Sequence, residues 1–340
     1  MGVERGQVIW IWASTHSLDL IEALAFRIRE RGAFWTLRLV MEPLLRRIAA
    51  EAPEEYLDLV PEHELRWLED IAAIIEVRDH SGHIPGVPLP RRRKMGAEWI
   101  ALIEEAARRG VRRVTVINPT PALAASYDVP LVEFRKAYAS AIDIDYQALD
   151  RRQESLQKRL AGVDRVSITS ELGTDLSLRI GGRPVLLDKD GLPRGEVYVA
   201  PNETSAEGVA VIDRAFLLGE PVEQLRLTFS KGRVVEAAAP DAKGVAALHE
   251  LLEASTGAKD TIAEFGIGLN PGVTEPTGDI LLDEKTYGSV HVAIGMNERF
   301  GGVNRSNLHL DLVVLRPTVY FDGEIAISDG EILIDDSEAE

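Results

Sequence analysis

The first half of the chain alternates short apolar runs with longer stretches of helical period. Val8–Trp12 is a continuous apolar run typical of a buried strand, and the apolar spacing from Ser17 to Arg31 predicts a helix that begins at a serine cap. Phe34–Val40 is a second predicted strand. Farther along, a predicted helix over Pro90–Arg109 precedes a strand at Val114–Ile117. This β-α-β opening predicts an open, parallel α/β sheet.

The second half has a different pattern, in which short β-rich runs are separated by turn pairs such as Lys231-Gly232. One predicted helix, Ala242–Ala254, interrupts them. We therefore predict an α/β domain over residues 1–163 and a β-rich α+β domain over residues 164–340. No G-x-G-x-x-G follows the first strand, and no G-x-x-x-x-G-K-[ST] occurs anywhere. The α/β opening is thus no argument for nucleotide binding.

Ligand-type side chains alternate with apolar residues in four predicted strands of the second half. Leu308–Leu312 alternates strictly, so that His309 and Asp311 point away from the face formed by the leucines. The complete set is Glu196 in GEVYV, Glu264 in AEFGI, His291 in VHVAI, and His309 and Asp311 in LHLDL. Two imidazoles and three carboxylates suit Zn, Co, Mn or Fe(II) better than soft metals. The alternative is that they are ordinary polar residues on the open face of a half-exposed sheet.

Composition and charge narrow the classes of partner. The 340 residues carry a net charge of −17 and contain no cysteine. The acidic balance disfavours nucleic-acid binding, and the missing cysteines exclude thiolate ligands, cysteine nucleophiles and disulfides. No apolar run approaches the ~20 residues that span a membrane, and the N-terminal apolar run is too short for a secretory signal. We therefore expect a cytoplasmic protein that binds neither nucleic acid nor membrane.

Several motifs resemble a known family when they are read in order: GEVYVAP, AEFGIGLNPG, DEKTYGSVHVAIG and LHLD. They resemble the aminopeptidase T family, the M29 class of metallo-aminopeptidases, and in particular its short, leucyl-aminopeptidase-like branch. The likeness is densest from Thr174 to Val314. It implies one or two divalent metals on the same five residues, a peptide or other small-molecule substrate, and a homodimer. Glu284 of the DEK motif is then a general base, a carboxylate that orients a histidine, or a helix-start acid without chemistry.

The chain departs from the family pattern in two ways. The family's peptidases carry a tyrosine shortly after the first metal-binding histidine, whereas this chain has GMNERFGG there, with Glu298 or Arg299 near the expected place. The chain is also short between its two histidines. A relative in the same superfamily is a ring-cleaving dioxygenase that acts on a dihydroxypyridine with one non-haem Fe(II). The resemblance therefore supports a metal site more strongly than it supports peptidase chemistry.

Three functional hypotheses follow. The first is a metal-dependent, aminopeptidase-like hydrolase that removes N-terminal residues from peptides by means of metal-activated water. The second is a mononuclear Fe(II) dioxygenase similar to the 2,5-dihydroxypyridine enzyme, with His291, His309 and Asp311 as its two-histidine, one-carboxylate set. The third is a non-catalytic binding protein stabilised by metal, which the carboxylate-rich ligand set disfavours because structural zinc sites use Cys and His.

Overall fold

The computed structural model describes residues 2–80, 86–189 and 191–333. The first part of the chain alternates strands and helices and ends in two consecutive long helices. Its elements are β1 (Val8–Ser14), α1 (Leu18–Glu30), β2 (Phe34–Val40), α2 (Glu42–Glu51), α3 (Glu62–Trp67), β3 (Ile71–Arg78), α4 (Leu89–Arg108), β4 (Arg112–Ile117), α5 (Pro121–Ser126), α6 (Leu131–Ile142) and α7 (Tyr146–Leu160).

The rest of the chain consists mainly of strands. Its elements are β5 (Arg165–Thr169), β6 (Asp175–Arg179), β7 (Val185–Leu187), β8 (Gly191–Leu192), β9 (Glu196–Val199), β10 (Glu207–Leu217), β11 (Glu220–Ser230), β12 (Arg233–Ala238), α8 (Ala242–Glu253), β13 (Ile262–Gly268), α9 (Ile280–Asp283), β14 (Val290–Gly295), β15 (His309–Val314), β16 (Thr318–Phe321), β17 (Glu324–Ser328) and β18 (Glu331–Ile332). Short 3-10 turns lie at Thr15–Ser17, Glu54–Tyr56 and Glu298–Phe300.

The chain forms two compact units. The first extends to Val132 and also contains β8, and the second begins at Glu133 in the first turn of α6. Helices α6 and α7, which the sequence pattern assigned to the first domain, therefore belong to the second unit. The predicted domain boundary after residue 163 stays a prediction, because compactness does not show that a segment folds independently.

The first unit contains the open parallel sheet that its pattern predicts. The strand order is β2-β1-β3-β4-β8, and each neighbouring pair is parallel. The sequence pattern missed α2, whose second residue is Pro43, and α5, which begins at Pro121 and has only six residues. Ser17 precedes α1 as expected, but its hydroxyl donates to Asp79 Oδ2 at 2.5 Å rather than capping the helix. No helix within the described ranges is both long enough and apolar enough to cross a bilayer.

The second unit contains two sheets that share one apolar core. One has the order β12-β11-β10-β6-β5-β16-β17-β18, and the other β15-β14-β13-β9-β7. Phe265 and Val292 of the smaller sheet are fully buried in the same cluster as Leu227 and Phe229 of the larger. Each sheet thus turns one face inwards, as in packed β-layers. The smaller sheet contains all four strands that carry the predicted ligands, as adjacent neighbours.

Candidate metal centre

Strand register brings the five predicted ligands to one face of the smaller sheet. Asp311, Ala293 and Glu264 lie opposite one another across β15, β14 and β13, while His309 pairs with Gly295 in the next row. In a strand, alternate residues point to the same face, so the apolar neighbours of these ligands fill the core behind the sheet. The alternating pattern therefore assigned each side chain to the correct face.

Glu284 joins the five predicted residues from the end of α9. The six side chains form three overlapping groups whose ligand atoms lie within 4.8 Å of one another. The groups are Glu196, Glu264 and His291; Glu264, His309 and Asp311; and Glu284, His291 and Asp311. Each of the five predicted ligands belongs to at least one group, and Glu264, His291 and Asp311 each belong to two.

The imidazole of His309 is held in one tautomer by the backbone. Its Nδ1 lies 2.8 Å from the carbonyl oxygen of Met296, which only accepts hydrogen bonds, so Nδ1 must carry a hydrogen. Nε2 then faces Asp311 Oδ1 at 3.2 Å and Glu264 Oε2 at 3.6 Å. In the neutral ring, Nε2 has a lone pair that is directed at two carboxylates. Only a proton or a metal cation at Nε2 relieves that repulsion.

Glu264 lies between the two histidines. Its Oε1 is 3.2 Å from His291 Nε2, and its Oε2 is the oxygen 3.6 Å from His309 Nε2. His291 Nε2 is also 3.4 Å from Glu196 Oε2. The two oxygens of one carboxylate thus face two separate imidazole nitrogens, each with a further carboxylate beside it.

Among the predicted ligands, two buried carboxylate oxygens have no hydrogen-bond partner within the described part of the chain. They are Glu196 Oε2 and Asp311 Oδ1. Buried polar atoms of native proteins are almost always satisfied, and a buried anion without a partner is especially costly. Both oxygens point at imidazole nitrogens of the centre, where a divalent cation would satisfy them. The donor set and its unsatisfied atoms therefore fit a divalent metal of borderline or hard character.

The carboxylates change the protonation of the histidines. Burial by itself would lower the pKa of His291, but its hydrogen bond to Glu264 and the charge of Glu196 raise that pKa to about 9. Burial likewise opposes protonation of His309, while Asp311 and Glu264 raise its pKa to about 10. Burial, followed by the charge of Glu284, raises the pKa of Glu196 well above its usual value. In the metal-free protein, these raised pKa values therefore favour the protonated forms of His291, His309 and Glu196.

A glycine leaves the space that the His291 ring occupies. Gly266 pairs with His291 across β13 and β14, and a Cβ at Gly266 would lie 2.1 Å from His291 Nε2 and 2.2 Å from Cε1. Real Cβ atoms essentially never approach so closely. Any side chain at this position would therefore push the imidazole away from Glu264.

The sequence pattern does not indicate two charged residues of the centre, Lys285 and Asp188. The ammonium group of Lys285 donates to Glu196 Oε1 at 2.7 Å and to Glu284 Oε1 at 2.6 Å, and it forms an ion pair with Asp188 Oδ2 at 3.1 Å. The cue available was a lysine directly after a candidate acid in the DEK motif. Nothing in that spacing shows that the lysine is buried, because lysines are almost always exposed.

Aromatic rings border the centre on the side of β9. Tyr198 points to the same face as Glu196, and the Phe300 ring lies 5.6 Å from the Tyr198 ring and 5.2 Å from that of His309. Phe300 ends the 3-10 turn that also contains Glu298 and Arg299, both of which are exposed. A tyrosine is thus present at the centre, although it lies on a different segment from the one where the resemblance places it.

The fold and the centre together define a metal-dependent enzyme of mixed α/β and β architecture. Solved structures that share this fold include the following two. Wild-type AmpT from Thermus thermophilus aligns with a TM-score of 0.77 and 21% identity, over 97% of this chain and 95% of that chain. The 2,5-dihydroxypyridine dioxygenase from Pseudomonas putida KT2440 aligns with a TM-score of 0.67 and 16% identity, over 99% and 94%. No curated protein matches the sequence.

The profile of the thermophilic metalloprotease family, M29, matches residues 1–335. The chain belongs to this family. The predicted family and the predicted class of enzyme, a metal-dependent peptidase, are thereby confirmed, as is the mixed architecture.

Replacement of Gly266 by alanine should disable metal binding while the fold survives. The added Cβ displaces the His291 ring, so we expect Gly266→Ala to weaken metal binding by about 10–100-fold, the range typical of disturbed ligand orientation. Titration of the metal-free protein with CoCl2, followed by calorimetry, measures this change. Gly96→Ala is the matched control because a Cβ there meets nothing within 4 Å. Equal affinity in wild type and Gly266→Ala would contradict the assigned role.

Metal binding at pH 7 should release more than one proton per chain. With pKa values of about 9 and about 10, both imidazoles are protonated in the metal-free protein at this pH, and each must lose its proton to act as a ligand. Calorimetric titrations in two buffers of different ionisation enthalpy give the number of protons released. Affinity should also fall as the pH is lowered. If the measured binding enthalpy does not depend on the buffer, metal binding releases no protons from the imidazoles, and the prediction is wrong.

Proposed function

We propose that this metalloprotease is an aminopeptidase with two divalent cations, held by Glu196, Glu264, His291, His309 and Asp311. The observation that carries the proposal is the position of Glu264, whose two oxygens face His291 Nε2 and His309 Nε2. Glu264 would thus contribute to the ligand groups of both cations, since it belongs to two of the groups. Zn, Co and Mn are the metals that the ligand set favours.

Charge balance supports two cations over one. The centre gathers the carboxylates of Asp188, Glu196, Glu264, Glu284 and Asp311 around the single ammonium group of Lys285. If all are ionised, four negative charges remain uncompensated, and two divalent cations neutralise them. One cation would leave two negative charges in a largely buried site, at a high desolvation cost.

The residues of the chain have separable roles in the reaction. Divalent cations held by the five ligand residues would polarise a peptide carbonyl and lower the pKa of a water molecule. Glu284 is the proposed proton acceptor, because its Oε1 is fixed by Lys285 and burial raises its pKa towards the operating pH. The surplus of carboxylates attracts the α-ammonium group of a peptide, which favours cleavage at the N-terminal residue.

The iron alternative makes less use of the observed geometry. A mononuclear Fe(II) site built from His291, His309 and Asp311 needs open positions for oxygen and substrate. Here Glu264 lies 3.2 Å and Glu196 3.4 Å from His291 Nε2, so two further carboxylates surround that nitrogen. The shared fold with the dioxygenase keeps this alternative worth testing. The homodimer and the cytoplasmic location stay predictions.

Metal content and substrate range test the proposal together. Protein purified anaerobically and without chelating resin should contain about two Zn, Co or Mn ions per chain. It should cleave aminoacyl anilides and leave their N-acetylated counterparts intact, because the acetyl group removes the ammonium charge. About one iron per chain, with oxygen consumption in the presence of aromatic diols, would establish the dioxygenase instead.

Loss of the shared carboxylate should abolish both metal loading and activity. Glu264→Gln keeps the shape of the side chain but removes its charge, so we expect kcat/KM to fall by at least about 100-fold and the metal content to fall with it. Glu105→Gln is the matched control: Glu105 is also a buried glutamate, but it pairs with Arg109 in the first unit. Full activity in Glu264→Gln would remove Glu264 from the proposed centre.

A further inference from the structure

Lys285 is a buried cation in the middle of a proposed cation site. Its side chain is 5% exposed, and its ammonium group meets three carboxylates, those of Asp188, Glu196 and Glu284. An ammonium group has three hydrogens to donate, and here each has a different carboxylate within reach. Such a group is costly to bury, and it is tolerated only because its partners are close and charged.

The backbone fixes Lys285 against the ligand sheet. Its N–H donates to Leu282 at 3.1 Å, and its carbonyl accepts from Asn270 N at 3.0 Å. The following peptide lies directly over β13, where a Cβ on Gly268 would come within 2.0 Å of the Thr286 carbonyl oxygen. The ammonium group is therefore carried by a segment that is packed tightly on a strand of the centre.

The lysine occupies one oxygen of each glutamate that it contacts. Glu196 Oε1 accepts a hydrogen bond from the Lys285 ammonium group, which leaves Oε2 directed at His291 Nε2, 3.4 Å away. Glu284 Oε1 likewise accepts a hydrogen bond from Lys285. Within the described residues, the ion pairs of Lys285 do not include Glu264, His309 or Asp311. The lysine thus touches one side of the centre only.

The two ligand groups that share Glu264 can be distinguished on this basis, whereas the third group, Glu284, His291 and Asp311, also contains a carboxylate that Lys285 contacts. The clamped group is Glu196, Glu264 and His291, in which Glu196 is held by Lys285. The open group is Glu264, His309 and Asp311, none of which Lys285 contacts. The two groups share Glu264 and differ in whether the lysine orients one of their carboxylates.

We propose that Lys285 is a positioning residue that makes the two metal positions unequal, by orienting Glu196 for the clamped group while leaving the open group untouched. The inference rests on the proposed two-cation function. It predicts two distinguishable classes of metal binding in the intact protein, of which only one depends on Lys285.

A lysine that only repelled metal would have the opposite effect on metal affinity when it is removed. Removal of a positive charge beside a cation site should strengthen cation binding if the lysine only repels metal. If instead the lysine holds Glu196 in place, its removal should weaken binding, because partners that orient ligands typically contribute about 10–100-fold in metal affinity. The sign of the change therefore separates the two roles.

The experiment is a calorimetric titration of the metal-free full-length protein with CoCl2 at one fixed pH. Wild type should bind two ions per chain in two classes. Lys285→Met, which keeps the length of the side chain without its charge, should keep one class unchanged and weaken the other by about 10–100-fold. The visible absorption of Co²⁺ reports the same loss independently of activity. Lys189→Met is the matched control, since Lys189 is exposed and pairs with Glu154.

A second variant guards against a folding defect in Lys285→Met. Asp188 contacts Lys285 but belongs to none of the ligand groups, so Asp188→Asn loosens the lysine without removing it. We expect it to weaken the same class by about three- to tenfold, which corresponds to one weakened hydrogen bond or ion pair. Because the lost charge by itself would weaken both classes, weakening confined to the class that contains Glu196 supports the inference even if Lys285→Met does not fold, and equal weakening of both classes contradicts it.

Other outcomes overturn the inference in distinguishable ways. The positioning role alone is overturned if wild type binds two ions and Lys285→Met binds them with unchanged or higher affinity. Equal weakening of both classes in the folded variant overturns it as well, because the lysine contacts no member of the open group. A wild-type protein that binds a single ion overturns the proposed function, and the inference falls with it.

Discussion

The organisation of the second unit depends on keeping several carboxylates together in a place that water hardly reaches. Glu196 and Glu264 are almost completely buried, and Asp311 and Glu284 lie beside them. Like charges at this separation repel strongly in a low-dielectric environment, so the arrangement persists only with compensating cations. Lys285 supplies one positive charge, and protons or metal ions must supply the rest. The unmatched oxygens of Glu196 and Asp311 show where that compensation belongs.

The sheet meets this requirement with contrasting faces. Behind the ligands, residues such as Phe265 and Val292 are fully buried in a core shared with the larger sheet, which holds β13 and β14 rigidly. In front, small residues leave room: Gly266 lies under the His291 ring, and Ala293 separates Glu264 from Asp311. Large side chains at those positions would fill the space where the ligand atoms converge. Rigidity behind and space in front are both consequences of the period-two pattern of the strands.

The sequence predicted much of this centre, for physical reasons that also explain what it missed. Alternation in LHLDL and VHVAI assigns His309, Asp311 and His291 to faces, because a strand has only two. Alternation cannot give register, so the pairing of Gly266 with His291 was not foreseeable. The burial of Lys285 depends on contacts between segments far apart in the chain, and a local pattern carries no trace of them. For the same reason the pattern after His291 does not indicate that a tyrosine, Tyr198, reaches the centre from β9.

The tether between His309 Nδ1 and the Met296 carbonyl has a consequence for how the protein matures. It fixes which nitrogen faces the carboxylates whether or not a metal is bound, so the site is shaped before it is loaded. In the metal-free protein, protons on the two imidazoles balance part of the negative charge, because both pKa values lie above neutral pH. Metal binding would then replace these protons in a centre whose backbone is already in place. On this basis the chain would fold before it binds metal, and the two steps could be studied separately.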